Sequence, residues 1–255
     1  MLKNDLDVSL VIPAYNEEAT IETLLTRVDR VLKETALRYE IIIVNDGSRD
    51  STWEKASNLS ITNNHVKVIG YDVNQGKGYA IIKGFSHARG DAVVFLDSDL
   101  DIAPHQISSY IRALKYGDLV ISSKCHPQSV VEVPFLRRFL SYGFNIFVKL
   151  LTGLRVNDTQ TGLKAVRRKA LEPVFSVLTV RRFAFDVELL TVANLYGLKI
   201  VEMPVKIRLS NTLFSPFQVW KMFIDLLGIS YRLRVTKWYQ FSSTGFYRRD
   251  GTNPT

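Results

Sequence analysis

Within the first hundred residues, short aliphatic and β-branched runs alternate with stretches of helical periodicity. The runs cover residues 8–12, 39–44, 66–70 and 92–96. After the first, Ile21, Leu24, Leu25, Val28, Val31 and Leu32 recur at three- and four-residue steps, the spacing of one buried helix face. A second helix is predicted from near Ser51 to about Leu59, and a third over 79–88. Strands that are apolar on both faces and separated by helices need crossover connections. The pattern therefore predicts the α/β class, with a mostly parallel sheet and helices on both faces. In such sheets ligands bind beyond the carboxyl ends of the strands. Three polar clusters fall there: Pro13-Ala14-Tyr15, Asn45-Asp46 and Asp97-Ser98-Asp99.

The third cluster carries the most chemistry. The run 91–96 ends in Asp97, Asp99 and Asp101. Alternate residues of a strand share a face, so these acids are expected on one side of the strand as it leaves the core. Three carboxylates so close repel one another and need a cation or hydrogen-bond donors. Mg²⁺ or Mn²⁺ suits oxygen ligands and also binds substrate phosphates, so a metal–diphosphate site is expected. A solvated acidic turn is the plainer alternative, because a D-x-D triplet is short and common.

Composition sets outer bounds. The chain has 255 residues, 46% of them hydrophobic, and no linker-like or low-complexity block. One domain over 1–240 is expected, with a polar, flexible tail over 241–255. Lys and Arg number 33 against 25 Asp and Glu, a net charge of +8 that favours anionic partners. The single cysteine, Cys125, excludes an internal disulfide and any cysteine-rich metal site, and it fits a reducing, cytoplasmic setting. Residues 1–7 lack the apolar core of a signal peptide, and no run of ~20 apolar residues predicts a spanning helix. The basic residues are not interleaved with aromatics, so nucleic acid is not an expected partner.

Farther along, helices are predicted over 104–115, 134–151, 184–195 and 216–234, and strands over 118–122 and 163–167. Residues 199–208 read as an extended pair. Asn16 is expected to cap the first helix, with Glu17 and Glu18 in its first turn. The 216–234 helix has one narrow polar stripe of Gln218, Lys221, Asp225, Gly228 and Arg232. So broad an apolar arc is either docked on the protein or laid in a membrane interface. His65, His87, His105 and His126 do not cluster with acids, and no nucleophile-elbow pattern occurs.

Several pieces, in order, resemble family-2 glycosyltransferases of the GT-A fold, and more narrowly the polyprenyl- and dolichyl-phosphate sugar transferases. They are residues 11–18 (VIPAYNEE), 40–48 (EIIIVNDGS), 74–78 (NQGKG), 97–99 (DSD), 158–164 (DTQTGLK) and 183–190 (FAFDVELL). With Ser122-Ser123-Lys124, the later pieces favour the dolichyl-phosphate glucosyltransferase-like branch. The resemblance implies an inverting, metal-dependent enzyme that moves a hexose from a nucleotide sugar to a polyprenyl phosphate at a membrane face. UDP-glucose is the first expected donor; GDP-mannose, UDP-GlcNAc and a soluble or glycan acceptor stay open. A non-enzymatic nucleotide-binding module is the remaining alternative.

The resemblance also implies roles. Pro13, Tyr15, Glu17 and Asp46 would border the nucleoside, and Lys77 would face the diphosphate. Asp97, Asp99 and Asp101 would hold the ion, and Gln160 would face the sugar. Lys124, Arg137, Arg138 and Ser141 would place the acceptor phosphate, and Asp158 would stand beside the attacking oxygen. Three positions depart from the usual pattern: Asn45 replaces an aspartate, Asp101 a glutamine, and Lys124 an arginine. Without a spanning helix, docking would rest on the basic surface and the apolar helices, or on a separate membrane protein.

Overall fold

The computed structural model describes residues 6–132, 135–208 and 216–240, with side chains described outside 135–142 and 216–219. Its centre is a seven-stranded sheet. The first strands are β1 (Val8–Ala14), β2 (Tyr39–Asp46), β3 (Val66–Tyr71) and β4 (Ala92–Phe95). These are followed by β5 (Leu119–Ser123), β7 (Lys164–Arg167) and β8 (Ile200–Pro204). The order is β3-β2-β1-β4-β7-β5-β8. All neighbours run parallel except β7, which is antiparallel to both β4 and β5. Two short strands, β6 (Val130–Glu132) and β9 (Lys206–Arg208), form a separate parallel pair. The expected extended pair is thus split between two sheets.

Period-two alternation divides the strand residues between two cores. Leu10, Ile12, Ile41, Ile43, Val94 and Leu96 pack on one face with helix α1 (Ile21–Lys33) and the short α4 (Ile107–Ala113). Val11, Ile42, Val44, Val93 and Phe95 pack on the other with α3 (Lys77–His87), α6 (Arg168–Phe175) and α7 (Phe185–Leu195). Helix α2 (Thr52–Thr62) flanks β3, and α5 (Phe135–Thr152) lies against α8 (Pro216–Arg234). Gly84 permits the close seating of α3, because a β-carbon there would stand 2.3 Å from Val11 Cγ1.

Several boundaries differ from expectation. Asn16 does not cap α1; Thr20 holds that position. Asn16 instead adopts a left-handed φ of 55° and ties the 48–49 turn, accepting from Arg49 N at 2.9 Å while its own N–H donates to Ser48 Oγ at 3.0 Å. Glu17 and Glu18 therefore precede the helix, and Glu22 is the acid of its first turn. The predicted 104–115 helix is α4 flanked by 3-10 turns at Pro104–Gln106 and Leu114–Tyr116. Helix α6, which contains Pro173, and strand β6 were not anticipated.

One side of helix α8 is docked on the protein and another is exposed. Met222, Leu226 and Ile229 are buried in the core, while Trp220, Ile224, Leu227 and Tyr231 are exposed. No described helix is long and apolar enough to cross a membrane. The expected flexible tail lies outside the described residues.

Candidate active site

The clusters predicted at strand ends do gather on one edge of the sheet, through a hydrogen-bonded set of loops. Asp46, at the end of β2, is buried. Its carboxylate accepts from Asn74 Nδ2 at 3.0 Å, Gln75 N at 2.7 Å and Gly76 N at 3.0 Å. Asp46 thus builds the 74–76 loop. Beside it, the buried Oδ1 of Asn45 has no partner among the described residues, so an acceptor is left at the strand end. Pro13 is buried at the end of β1, Tyr15 is exposed, and Glu17 accepts from Thr20 Oγ1 at 2.7 Å while its N–H donates to Thr52 Oγ1 at 2.7 Å.

Strand β4 ends at Phe95, so the acids sit in a turn beyond it and the expected strand alternation does not place them. Leu100 takes a left-handed φ of 62°, and Asp101 N donates to Asp99 Oδ1 at 3.0 Å. Loss of hydration, and then the charges of Asp97 and Asp101, push the Asp99 carboxyl up to about 7, although the residue keeps an open edge to solvent. Asp97 is turned onto Lys77, whose Nζ lies 2.7 Å from Oδ1 and 2.9 Å from Oδ2. Among the described residues no three acids, histidines or cysteines converge as a ready metal site. The chemistry of the site still fits a hard divalent ion: the donors are oxygens, and a carboxyl crowded up to about 7 is one that a cation returns to its ionised form.

Opposite these acids stands the 157–163 loop. Gly162 closes on Asp97 so tightly that a β-carbon would lie 2.2 Å from Asp97 Oδ2. Asp158, 2% exposed, accepts from Lys124 N at 2.8 Å, Gln160 N at 3.1 Å and the Thr161 hydroxyl. Lys124 Nζ lies 3.1 Å from Asp158 Oδ2 and 3.1 Å from Thr161 Oγ1. Burial opposes charge on Asp158, but Lys124, Thr161 and the backbone N–H groups outweigh it and hold the carboxyl below its usual range. A buried, ionised, weakly basic carboxylate is suited to orienting groups rather than taking protons. Gln160 is half-buried on the same loop. Arg137, Arg138 and Ser141 fall on α5, but their side chains lie outside the described residues.

Sequence reasoning assigned no role to Lys164 and Asp186. Both are buried, with Lys164 Nζ 2.9 Å from Asp186 Oδ1, and Asp186 Oδ2 is 3.9 Å from Lys77 Nζ. Both residues lie inside the motif-bearing segments 158–164 and 183–190, but their pairing is made only by the fold. A cavity of about 420 Å³ lies between residues 179–182 and α8, and none of its lining residues is a candidate above.

The edge of the sheet thus brings a cluster of acids to face the 157–163 loop, which holds Lys124. The chain matches the family described as Glycosyl transferase family 2 over residues 9–175, and it belongs to that family. It is a glycosyltransferase. It is 33% identical over 244 residues to dolichyl-phosphate beta-glucosyltransferase ALG5A of Trichomonas vaginalis, spanning 91% of this chain and 75% of that protein. The human dolichyl-phosphate beta-glucosyltransferase is 31% identical over 249 residues, 91% of this chain and 77% of that one. Dolichol-phosphate mannosyltransferase of Pyrococcus furiosus is 39% identical over a shorter 173 residues, 66% of this chain and 48% of that one. Among solved structures, UDP-bound glucosyl-3-phosphoglycerate synthase of Mycobacterium tuberculosis shares the fold. The TM-score is 0.66 at 22% identity, covering 89% of this chain and 79% of that one.

Proposed function

We propose that residues 1–240 form one catalytic unit that transfers glucose from UDP-glucose to a dolichyl-type polyprenyl phosphate with inversion, using Mg²⁺ or Mn²⁺. The observation that carries this reading is the meeting of two segments at Asp97. The acidic turn of Asp97 and Asp99 suits a cation–diphosphate; the 157–163 loop closes on it through Gly162 and holds the ammonium of Lys124, from the turn after β5, beside Asp158 and Thr161, where it suits an anionic acceptor. The names of the relatives that match 91% of this chain support glucose and dolichyl phosphate.

In this reading Asn45 Oδ1 accepts from the nucleobase, and Pro13, Tyr15 and Glu17 line the nucleoside. Asp46 acts indirectly, by shaping the 74–76 loop and so aiming Lys77. Asp97, Asp99 and Asp101 would hold the ion, which when bound supplies charge neutralisation at the leaving diphosphate. A phosphate oxygen of the acceptor attacks the anomeric carbon, and the carbon–oxygen bond to the diphosphate breaks with its electron pair departing on that group. A phosphate monoester, with a second pKa of about 6, is already anionic and needs no strong base. Asp158 accordingly orients Lys124 and the loop, Gln160 faces the sugar, and Arg137, Arg138 and Ser141 join Lys124 at the acceptor phosphate. We place the enzyme peripherally on a cytoplasmic membrane face, consistent with the exposed free thiol of Cys125. The exposed residues of α5 and α8 would rest on the lipid, or on a membrane-protein partner.

The mannosyltransferase relative favours mannose as a second sugar, and with it GDP-mannose among the donors expected from the sequence. The test is a panel of UDP-glucose, GDP-mannose and UDP-GlcNAc with Mn²⁺ or Mg²⁺, offered with a short-chain polyprenyl phosphate or a soluble phosphorylated acceptor. Glucosyl transfer to the lipid phosphate is expected. Transfer only to the soluble acceptor, or only from another donor, overturns the corresponding half of the reading.

A further inference from the structure

Four buried or half-buried charges alternate in sign across the site. Asp97 takes Lys77 Nζ at 2.7 and 2.9 Å. Lys77 Nζ lies 3.9 Å from Asp186 Oδ2, and Asp186 Oδ1 takes Lys164 Nζ at 2.9 Å. Lys164 Nζ then donates to Thr161 O at 2.6 Å, and Thr161 Oγ1 meets both Lys124 and Asp158. The chain of contacts runs from the acidic turn after β4 to the loop beside Lys124. Its middle member, Asp186, stands at the start of α7 with a side chain only 7% exposed. That position is fixed from behind: Gly78 of α3 packs so closely on α7 that a β-carbon would lie 2.6 Å from Phe185 Cβ.

We propose that Asp186 is a positioning residue for donor binding, acting through Lys77. The proposal rests on the glycosyltransferase reading above and adds a residue to it. Lys77 carries one positive charge between two carboxylates, one at contact distance and one at 3.9 Å. Its ammonium sits on both oxygens of Asp97, so when that acid turns to a cation–diphosphate Asp186 is the carboxylate that keeps the ammonium at the site. Its second oxygen, on Lys164, keeps α7 and the 161–164 segment in register with that ammonium. Removing the Asp186 charge also leaves the Lys164 ammonium, at a site 3% exposed, with the Thr161 carbonyl but no carboxylate in contact among the described residues.

The experiment is calorimetric binding of UDP with saturating Mn²⁺, with no acceptor and no turnover, alongside the unfolding midpoint. Asp186→Asn is expected to weaken UDP binding by about tenfold or more, as loss of an orienting partner commonly does. Asp186→Glu is expected to restore most of it, and the Asp186→Asn effect should vanish in a Lys77→Met background. Unchanged UDP affinity in a folded Asp186→Asn protein overturns the proposal, as does an equal loss in the Lys77→Met background. If Asp186→Asn does not fold, Lys164→Met removes the other anchor and carries the same expectation; wild-type affinity there overturns it. Wild-type protein that binds no UDP would sink the UDP-sugar donor reading, together with this one. The wild-type arm alone therefore tells the two failures apart.

Discussion

Gly162 has no room for a side chain, since even a β-carbon would stand 2.2 Å from the Asp97 carboxylate. Gly162→Ala should therefore displace Asp97 or the loop. We expect glycosyl transfer to fall at least about tenfold with a stability loss of only about 1 kcal/mol, checked by steady-state rates and urea denaturation; unaltered turnover would contradict the assignment of this cleft. Glu40 provides the contrast. It is buried at the far end of β2 and accepts from Ser9 Oγ at 2.6 Å, Arg89 N at 2.8 Å and the Arg89 guanidinium at 3.0 Å. Glu40→Ala should cost about 1–3 kcal/mol by stranding those donors, and leave the donor KM of the remaining folded enzyme unchanged. At this scale the acids at 97–101 could be read from the sequence because they interrupt an apolar run. Asp186 and Lys164 could not, because a buried ion pair is a property of two segments that only the fold brings together. Asp46 shows a further limit: its residue type signalled a polar strand end, but not that backbone N–H groups would take up its oxygens.

The 157–163 loop and the α5–α8 pair are the elements on which substrate placement depends. Asp158 is held below its ordinary range, so its ionised contacts stabilise the fold above the unfolded value of ~3.9 and are lost as pH falls through the lower folded value. The stability gap between wild type and Asp158→Asn should be wide at pH 7 and shrink below about pH 4. Urea titrations at both pH values check this, and an equal gap at both would contradict it. On the helix pair, Ile146, Phe147 and Leu150 of α5 and Trp220, Ile224, Leu227 and Tyr231 of α8 are exposed. Lys149 and Arg234 on the same helices are exposed as well, with Lys237 just beyond. The double change Leu150→Glu, Leu227→Glu should leave the unfolding midpoint nearly unmoved and reduce co-sedimentation with anionic vesicles. Undiminished vesicle binding would remove this face from the membrane-docking account. The amphipathic stripe of α8 was legible, but which of its apolar residues face the core was not, because that depends on where α5 lies. Helix α6 escaped notice because Pro173 argues against a helix interior; here the eight-residue helix forms although that proline forfeits one i→i−4 bond.

For the molecule as a whole, alternation of strands and helices sufficed to anticipate a largely parallel sheet with ligand-binding loops on one edge. The insertion of β7 antiparallel between β4 and β5 was not legible, since strand direction follows from the path of the connecting chain rather than from residue pattern. That insertion has a functional consequence. Running opposite to β4, β7 begins where β4 ends, so the 157–163 loop that leads into it meets the acidic turn that leaves β4. The account rests on that acidic turn holding the charge of a departing nucleotide. Its most direct test is turnover of UDP-glucose with a polyprenyl phosphate and Mn²⁺ by Asp99→Asn, measured beside its unfolding midpoint. Transfer should fall by about 10²-fold or more, with the midpoint unchanged or raised as carboxylate repulsion is relieved; wild-type turnover by the folded variant would contradict the account.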